Sequence, residues 1–426
     1  MTLLPGVLTA IAILGFSAAA VASAGEKAGA PAAVPRVFLL DGKLLAETRA
    51  RAAGGDKSLA RAVEDLRRDA DKALKAGPFS VVFKKTAAPS GDKHDYMSQG
   101  PYWWPDPSKP DGLPYIRKDG EVHPDRGAFD NAPMGRMASA VETLATAYYF
   151  TGHEPYAAHA AKLLRAWFLD AETRMNPNLN FGQSIPGVTE GRGAGIIDTT
   201  ALVRMVDAVG LLAGLRPGVA GLRPGEAGSP SWTAADQKAL QEWFSKYVDW
   251  MLESKIGKEE AAAHNNHKTW YIVQVAAFSL FAGRPDVARR AVADAPKLVD
   301  SQIEPDGRQP LELARTKSWD YSSMNLDGWF CLARLGDAVG VDIWNYRSAD
   351  GRSIRKALDF LLPYAASGGP EWPHKQIVKF RAGRLAGIIR RAAIKYGDKQ
   401  YADAAAALGS GESDDRTDLL WPMPRQ

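Results

Sequence analysis

From residue 134 onward the chain runs through one apolar, helix-spaced segment after another, separated by short polar connections. Nothing else in the sequence restricts the fold as much. The periodicity predicts helices over 134–150, 156–169, 196–212, 234–253, 267–281, 284–302, 321–338, 352–366, 376–396 and 399–408. An earlier helix spans 58–76, with Leu59, Val63, Leu66, Ala70 and Leu74 on one stripe and Gly77-Pro78 as its stop. Thr233-Ala234-Ala235-Asp236 opens one of the later helices, with an acid at the positive end of its dipole. Strand-like alternation is scarce, and no repeat of fixed period occurs. Short connections make consecutive helices antiparallel neighbours. About a dozen helices in hairpin pairs predict an all-α fold, an incomplete (α/α) toroid, although a solenoid would share the pattern. In a toroid the loops at one end ring a central cleft where helix starts meet.

Residues 1–24 read as an export signal. An apolar stretch from Val7 to Ala22 meets the small-x-small pattern Ala22-Ser23-Ala24, although no Lys or Arg precedes it. The stretch is too short, and too rich in Ala and Gly, for a membrane span. The expected product is periplasmic or secreted, with no membrane span after cleavage. Residues 25–57 read as a lead-in and 58–426 as a single domain. Cys331 is the only cysteine, so stability must come from the core rather than from disulfides. With 46% hydrophobic residues in a chain of 426, that core can be large. The net charge of +4 comes from 53 basic and 49 acidic residues with no dense basic run, which argues against a nucleic-acid partner.

Residues 84–133 interrupt the helical pattern with Pro, Gly, Asp and aromatic residues, among them Tyr102-Trp103-Trp104-Pro105-Asp106-Pro107. A loop this long inside a compact domain is more often functional than idle. Adjacent indoles in a loop are hard to hide together. Trp103 and Trp104 either plug the end of a helical barrel or offer flat faces on which sugar rings stack. A second polar, Gly-rich loop, 176–195, carries Gln183 and Arg192.

His264-Asn265-Asn266-His267-Lys268-Thr269-Trp270 heads the apolar helix that runs to Phe281. Two amides and two imidazoles at its mouth are costly unless each finds a partner. His264 and His267 share a face, with Trp270 a turn further along. An Asn beside a His, next to a flat aromatic, suits a sugar carboxylate; the plainer alternative is an N-terminal cap. Further on, Arg315 and Tyr321 stand six residues apart across a loop-to-helix junction. A guanidinium fits a carboxylate in bidentate fashion and favours a neighbouring phenolate, so the pair suits proton transfer. The plainer alternative is a helix-start Arg and a core Tyr.

Asn265-Asn266-His267 with Trp270, then Leu311-Glu312-Leu313-x-Arg315, then Tyr321, resembles the alginate lyase superfamily of (α/α)-toroid polysaccharide lyases. The loop from Tyr102 to Pro107 resembles the substrate-channel loop of the same group, and the likeness covers residues 94–330. It implies an enzyme that takes an anionic polyuronate and needs no cofactor or metal. Asn266, His267 and Arg315 would neutralise the uronate carboxylate, and Tyr321 would transfer protons with a midpoint below that of free tyrosine. Tyr102, Trp103, Trp104, Gln183, Arg192, Asn265, Trp270 and Glu312 would contact substrate. Alginate lyases of the best-known type carry a His soon after that Tyr, whereas Ser322-Ser323-Met324 follow here. The long loop 103–125 is closer to a branch that includes glucuronan-cleaving members.

Three other readings compete. A glycoside hydrolase needs two facing carboxylates, for which Glu190, Glu312 and Asp320 are the candidates. A zinc enzyme could use His264 and His267, but no third ligand accompanies them. A non-catalytic sugar-binding protein would use the tryptophans and Arg315 without needing Tyr321.

Overall fold

Asp41 caps the first helix, accepting hydrogen bonds from the backbone N–H of Lys43 and Leu44 at 3.0 and 3.1 Å. That helix, α1 (Gly42–Ala53), lies inside the stretch expected to be a mere lead-in. Asp207 explains why the stretch is ordered: its carboxylate accepts from the N–H groups of Phe38, Leu39 and Leu40. The computed structural model describes Thr2 and residues 34–214, 228–408 and 416–423. The export signal and residues 216–227 of the Pro/Gly linker fall outside them. Among the described residues no helix is long and apolar enough to cross a membrane.

Next come α2 (Lys57–Ala73), α3 (Asn131–Thr151), α4 (Glu154–Leu164), α5 (Thr200–Ala213) and α6 (Ala234–Glu253). They are followed by α7 (Lys255–Ala261), α8 (Asn266–Phe281), α9 (Pro285–Val292), α10 (Ala295–Gln302) and α11 (Pro310–Leu313). The last are α12 (Ser318–Val339), α13 (Ile354–Ala366), α14 (Ala386–Tyr396), α15 (Lys399–Leu408) and α16 (Thr417–Leu420). The start of α6 is the expected one: Thr233 and Asp236 cap each other reciprocally in a capping box.

Packing sorts these helices into two layers. α3, α5, α8, α12 and α14 touch in succession, and α2, α4, α6, α9, α13 and α15 pack behind them. This is the (α/α) toroid, built from hairpins that alternate inner and outer helices. α8 is buried on every side after its first turn, with only His267 and Lys268 left partly accessible. Burying each large side chain of this helix, such as Phe278 or Phe281, contributes about 1.5–3 kcal/mol.

Two expected helices are interrupted. The segment 284–302 splits into α9 and α10, with Pro296 in the first turn of the second. Residues 376–381 are not helical, because tertiary pairing holds the chain beside the start of α12. The Lys375 carbonyl accepts from Ser318 N and Oγ at 3.0 and 2.8 Å, and Gln376 Oε1 accepts from Trp319 N at 3.1 Å. Those contacts cap a helix whose own N-cap, Lys317, makes no side-chain cap bond.

The stretch expected to be non-helical over 84–133 ends at 130, just before α3 begins, and holds three short strands and a 3₁₀ turn, Pro124–Ala128. β1 (Met97–Gln99) pairs in parallel with β4 (Phe181–Ser184), which joins the two loops that sequence singled out. β2 (Trp103–Trp104) pairs antiparallel with β3 (Ile116–Arg117), Trp103 opposite Arg117.

Candidate active site

The start of α8 supplies the first group of side chains. Asn265 is the N-cap, its Oδ1 accepting from His267 N at 3.3 Å, so the plainer alternative holds for this residue. Asn266 is 1% exposed and donates twice to one carboxylate: its N–H to Glu312 Oε1 and its Nδ2 to Glu312 Oε2, both at 2.7 Å. Burial pushes the Glu312 carboxyl up, against the hydrogen bonds from Asn266 and the charge of Arg315. His267 stays partly accessible, with Nδ1 2.6 Å from Glu260 Oε1. Gln302 holds the chain in front of the helix, its Nε2 donating to the carbonyls of His264 and Asn265 at 3.0 Å each.

The second group sits one turn beyond Glu312. Arg315 donates to Asp119 Oδ1 at 2.7 Å and to the Tyr321 hydroxyl oxygen at 2.8 Å. The Tyr102 and Tyr321 hydroxyls are 2.5 Å apart. Asp119 arrives on the loop after β3 and also accepts from Thr316 Oγ1 at 3.0 Å. Gly120 makes that docking possible: its φ is +84°, and a Cβ there would collide with the Thr316 hydroxyl. Burial works against the Asp119 charge, but the Arg315 and Thr316 bonds hold its carboxyl well below the usual range.

Tyr321 departs from expectation. Burial, and then the Tyr102 hydroxyl, push it well above the range of free tyrosine, although Arg315 pulls the other way. The expected midpoint below free tyrosine is therefore wrong for the free protein. Removing water from around a phenolate costs more than one guanidinium returns.

A third group lies on β4 and the loop after it. Arg192 Nη2 donates to Gln183 Oε1 at 2.7 Å, and the guanidinium carbon lies 5.9 Å from the centre of the Trp103 ring. Burial, and then the charge of Arg117, push the Arg192 guanidinium down. Gln183 has a φ of +50°, rare for a non-glycine residue, and a strained backbone of this kind persists only where its surroundings fix it. Here its N–H donates to Ser98 Oγ at 2.8 Å and its Nε2 to Asp198 at 3.2 Å. Asp198 also accepts from Tyr96 and Ser98 hydroxyls, at 3.0 and 2.5 Å, and from Arg126.

The structure thus pairs Asn266 with Glu312 and its neighbour His267 with Glu260, and separately unites Tyr102, Arg315 and Tyr321; the charge of Arg315 is felt at Glu312. Three expected substrate contacts are buried instead: Gln183, 3% exposed with its amide shared between Arg192 and Asp198, together with Glu312 and Trp270. Glu312 is 1% exposed with both oxygens taken by Asn266, and Trp270 sits in the core with its indole N–H on the Met324 carbonyl. Trp104 is spent within its own ribbon, donating to the Glu121 carbonyl and packing edge-on against His123. Trp103 is the tryptophan set beside Arg192. Sequence reasoning missed Asp119, Asp198, Glu260 and Gln302, acids and amides in unremarkable surroundings that only long-range folding brings to the site.

The rival carboxylates do not form a hydrolase pair. Glu190 is exposed, Glu312 is buried, and Asp320 is ion-paired to Arg384 at 2.8 Å. Among the described residues no three His, Cys, Asp or Glu side chains lie together as metal ligands, and His264 is exposed.

Among curated proteins none matches the chain. The alginate lyase family profile matches residues 80–372. An alginate lyase from Bacteroides ovatus is 42% identical with a TM-score of 0.84, over 91% of this chain and 99% of that one. Alginate lyase A1-III from Sphingomonas species A1 shares the fold at 16% identity, with a TM-score of 0.56 over 91% of this chain and 98% of its own. A histidine-to-alanine variant of A1-III, complexed with tetrasaccharide, shares it at 14% identity, with a TM-score of 0.58 over 92% and 98%. A match over most of the chain, together with a 42% identical relative covered almost end to end, decides the matter: the chain belongs to the alginate lyase family and is a polysaccharide lyase.

Proposed function

We propose that the enzyme cleaves a 1,4-linked polyuronate, alginate and its mannuronate blocks first, by β-elimination. The observation that carries this reading is the Tyr321 hydroxyl, held between Arg315 and Tyr102, in a protein that also fixes Asn266 on Glu312 and His267 on Glu260. The 42% identical alginate lyase supports the choice of polymer. The reaction removes the C5 proton of a uronate and expels the 4-O-glycosidic oxygen, leaving a C4=C5 double bond. That proton is barely acidic beside an ionised carboxylate, so donors around the carboxylate lower the barrier by stabilising the enolate-like state. Asn266 keeps one amide hydrogen beyond the one given to Glu312. Arg315 Nη1 makes no hydrogen bond among the described residues, and both groups suit that task.

Mannuronate and glucuronate carry the C5 proton and the C4 oxygen on one face, where a single Tyr321 serves both. Guluronate carries them on opposite faces, where His267 takes the proton and Tyr321 gives one. Glucuronan is the second substrate, motivated by Ser322-Ser323-Met324 standing where alginate lyases of the best-known type carry a His. The export signal of residues 1–24 puts this activity in the periplasm or outside the cell. Incubation with polymannuronate, polyguluronate and glucuronan tests the reading by the ultraviolet absorbance of the unsaturated uronate. Release of reducing ends without that absorbance on all three would replace the lyase assignment with hydrolysis.

A further inference from the structure

Glu260 lies in the last turn of α7 and is 4% exposed. Burying a carboxylate is costly unless it is paired. Among the described residues its carboxylate has a single hydrogen-bonding partner, His267 Nδ1, at 2.6 Å. The pair is placed by the backbone rather than by flexible side chains. α7 is seated on Gly193, where a Cβ would stand 2.7 Å from Glu260 N, closer than a Cβ comes to an atom of a residue remote in the chain. The four residues between α7 and α8 then return the chain so that His267 faces the carboxylate from the first turn of α8.

An ionised carboxylate only accepts hydrogen bonds, so the hydrogen must sit on Nδ1 and the lone pair of neutral His267 on Nε2. Nε2 has no hydrogen-bond partner among the described residues, and the ring is partly accessible. We infer that Glu260 is the positioning residue of the site, holding neutral His267 as its Nδ1–H tautomer with Nε2 ready to accept a proton. The consequence for turnover rests on the lyase reading above; the tautomer does not. On a substrate whose C5 proton and C4 oxygen lie on opposite faces, the C5 proton moves to Nε2. Its bonding pair forms the C4=C5 double bond, and the departing C4 oxygen takes the proton of Tyr321. The imidazolium left behind is stabilised by the Glu260 carboxylate. Glu312 does the matching service for Asn266, so each of two consecutive residues is held by its own buried glutamate.

Nitrogen-15 correlation spectra of uniformly labelled protein test the inference, with the His267 ring assigned by its loss in His267→Asn. The wild type should show the Nδ1–H pattern. Glu260→Gln keeps the shape but offers an amide N–H to Nδ1, which should turn His267 into the Nε2–H tautomer. Turnover on polyguluronate should then fall about 10²-fold or more with KM changed much less, as when a triad Asp that orients a His becomes Asn. Glu260→Asp, which keeps the carboxylate, should recover part of the loss. An Nε2–H pattern in the wild type overturns the inference. The wild-type spectrum decides even if a variant does not fold. A protein inactive on every polyuronate would refute the proposed function while leaving the tautomer result standing.

Discussion

Tyr321 is the residue on which the proposed chemistry depends most, and its surroundings make a double demand. Arg315 and Tyr102 are placed to receive charge on its oxygen, while burial keeps the proton on it in the free protein. At rest it is a loaded acid, ready for the leaving oxygen. Acting as the base on mannuronate requires the phenolate, whose population grows only as the solution becomes alkaline. Activity on polymannuronate should therefore climb above neutrality without levelling off below pH 10, roughly the pKa of free tyrosine. Tyr321→Phe removes one hydroxyl and keeps the ring, so packing should survive. Turnover should fall by at least the roughly 10²–10⁴-fold typical of a positioned acid–base group. KM should change far less, because Asn266, His267 and Arg315 remain. A folded Tyr321→Phe enzyme keeping more than about a tenth of wild-type turnover would be too active for this role, and the proton transfer would pass to His267.

At the scale of elements, α6 and α8 were legible because each keeps a helix-spaced apolar pattern from end to end. α6 and α8 begin and end within a residue of the expected bounds, and the capping box at Thr233 is where sequence put it. Elements settled by partners rather than by pattern were not legible. α1 depends on Asp207 holding the chain before it, and the extended 376–381 depends on the start of α12. The site divides in the same way. Asn266, His267 and Tyr321 stand in the first turns of helices and Arg315 in the connection just before α12, all with telling neighbours, whereas Asp119 and Gln302 gain meaning only from what folds against them. Gln302, at the end of α10, shows how such a residue positions a site. Its Oε1 accepts from Thr269, Asn325 and Trp329 at 2.9, 3.1 and 3.2 Å while its Nε2 holds the chain before α8. Gln302→Leu leaves several buried groups unpaired and should cost about 2–4 kcal/mol of stability. It should also lower turnover, because the start of α8 is released. A melting temperature within about a degree of the wild type would show that the core re-pairs without it.

Across the whole molecule, the helical layers bury tyrosine hydroxyls as well as rings, and this gives the protein a predictable alkaline limit. Burial is the first cause that pushes Tyr148, Tyr156 and Tyr271 up to about 12. Burial likewise pushes Tyr247, Tyr396 and Tyr401 up, the last helped by its hydrogen bond to Asp359. In the unfolded chain each would lose its proton near pH 10, roughly the value of a free phenol. Above that pH the folded protein binds more protons than the unfolded one, so stability falls as pH rises. Their contribution is fully present below the unfolded pKa and is lost as pH climbs from there through about 12 for Tyr148, Tyr156 and Tyr271. The melting temperature should therefore hold nearly level up to about pH 9.5 and drop steeply beyond it. The tyrosinate ultraviolet band of these buried groups should appear together with the loss of helical circular dichroism. Reversible ionisation of all tyrosines near pH 10, with the helical signal and the melting temperature unchanged, would show that water reaches these hydroxyls in the folded state.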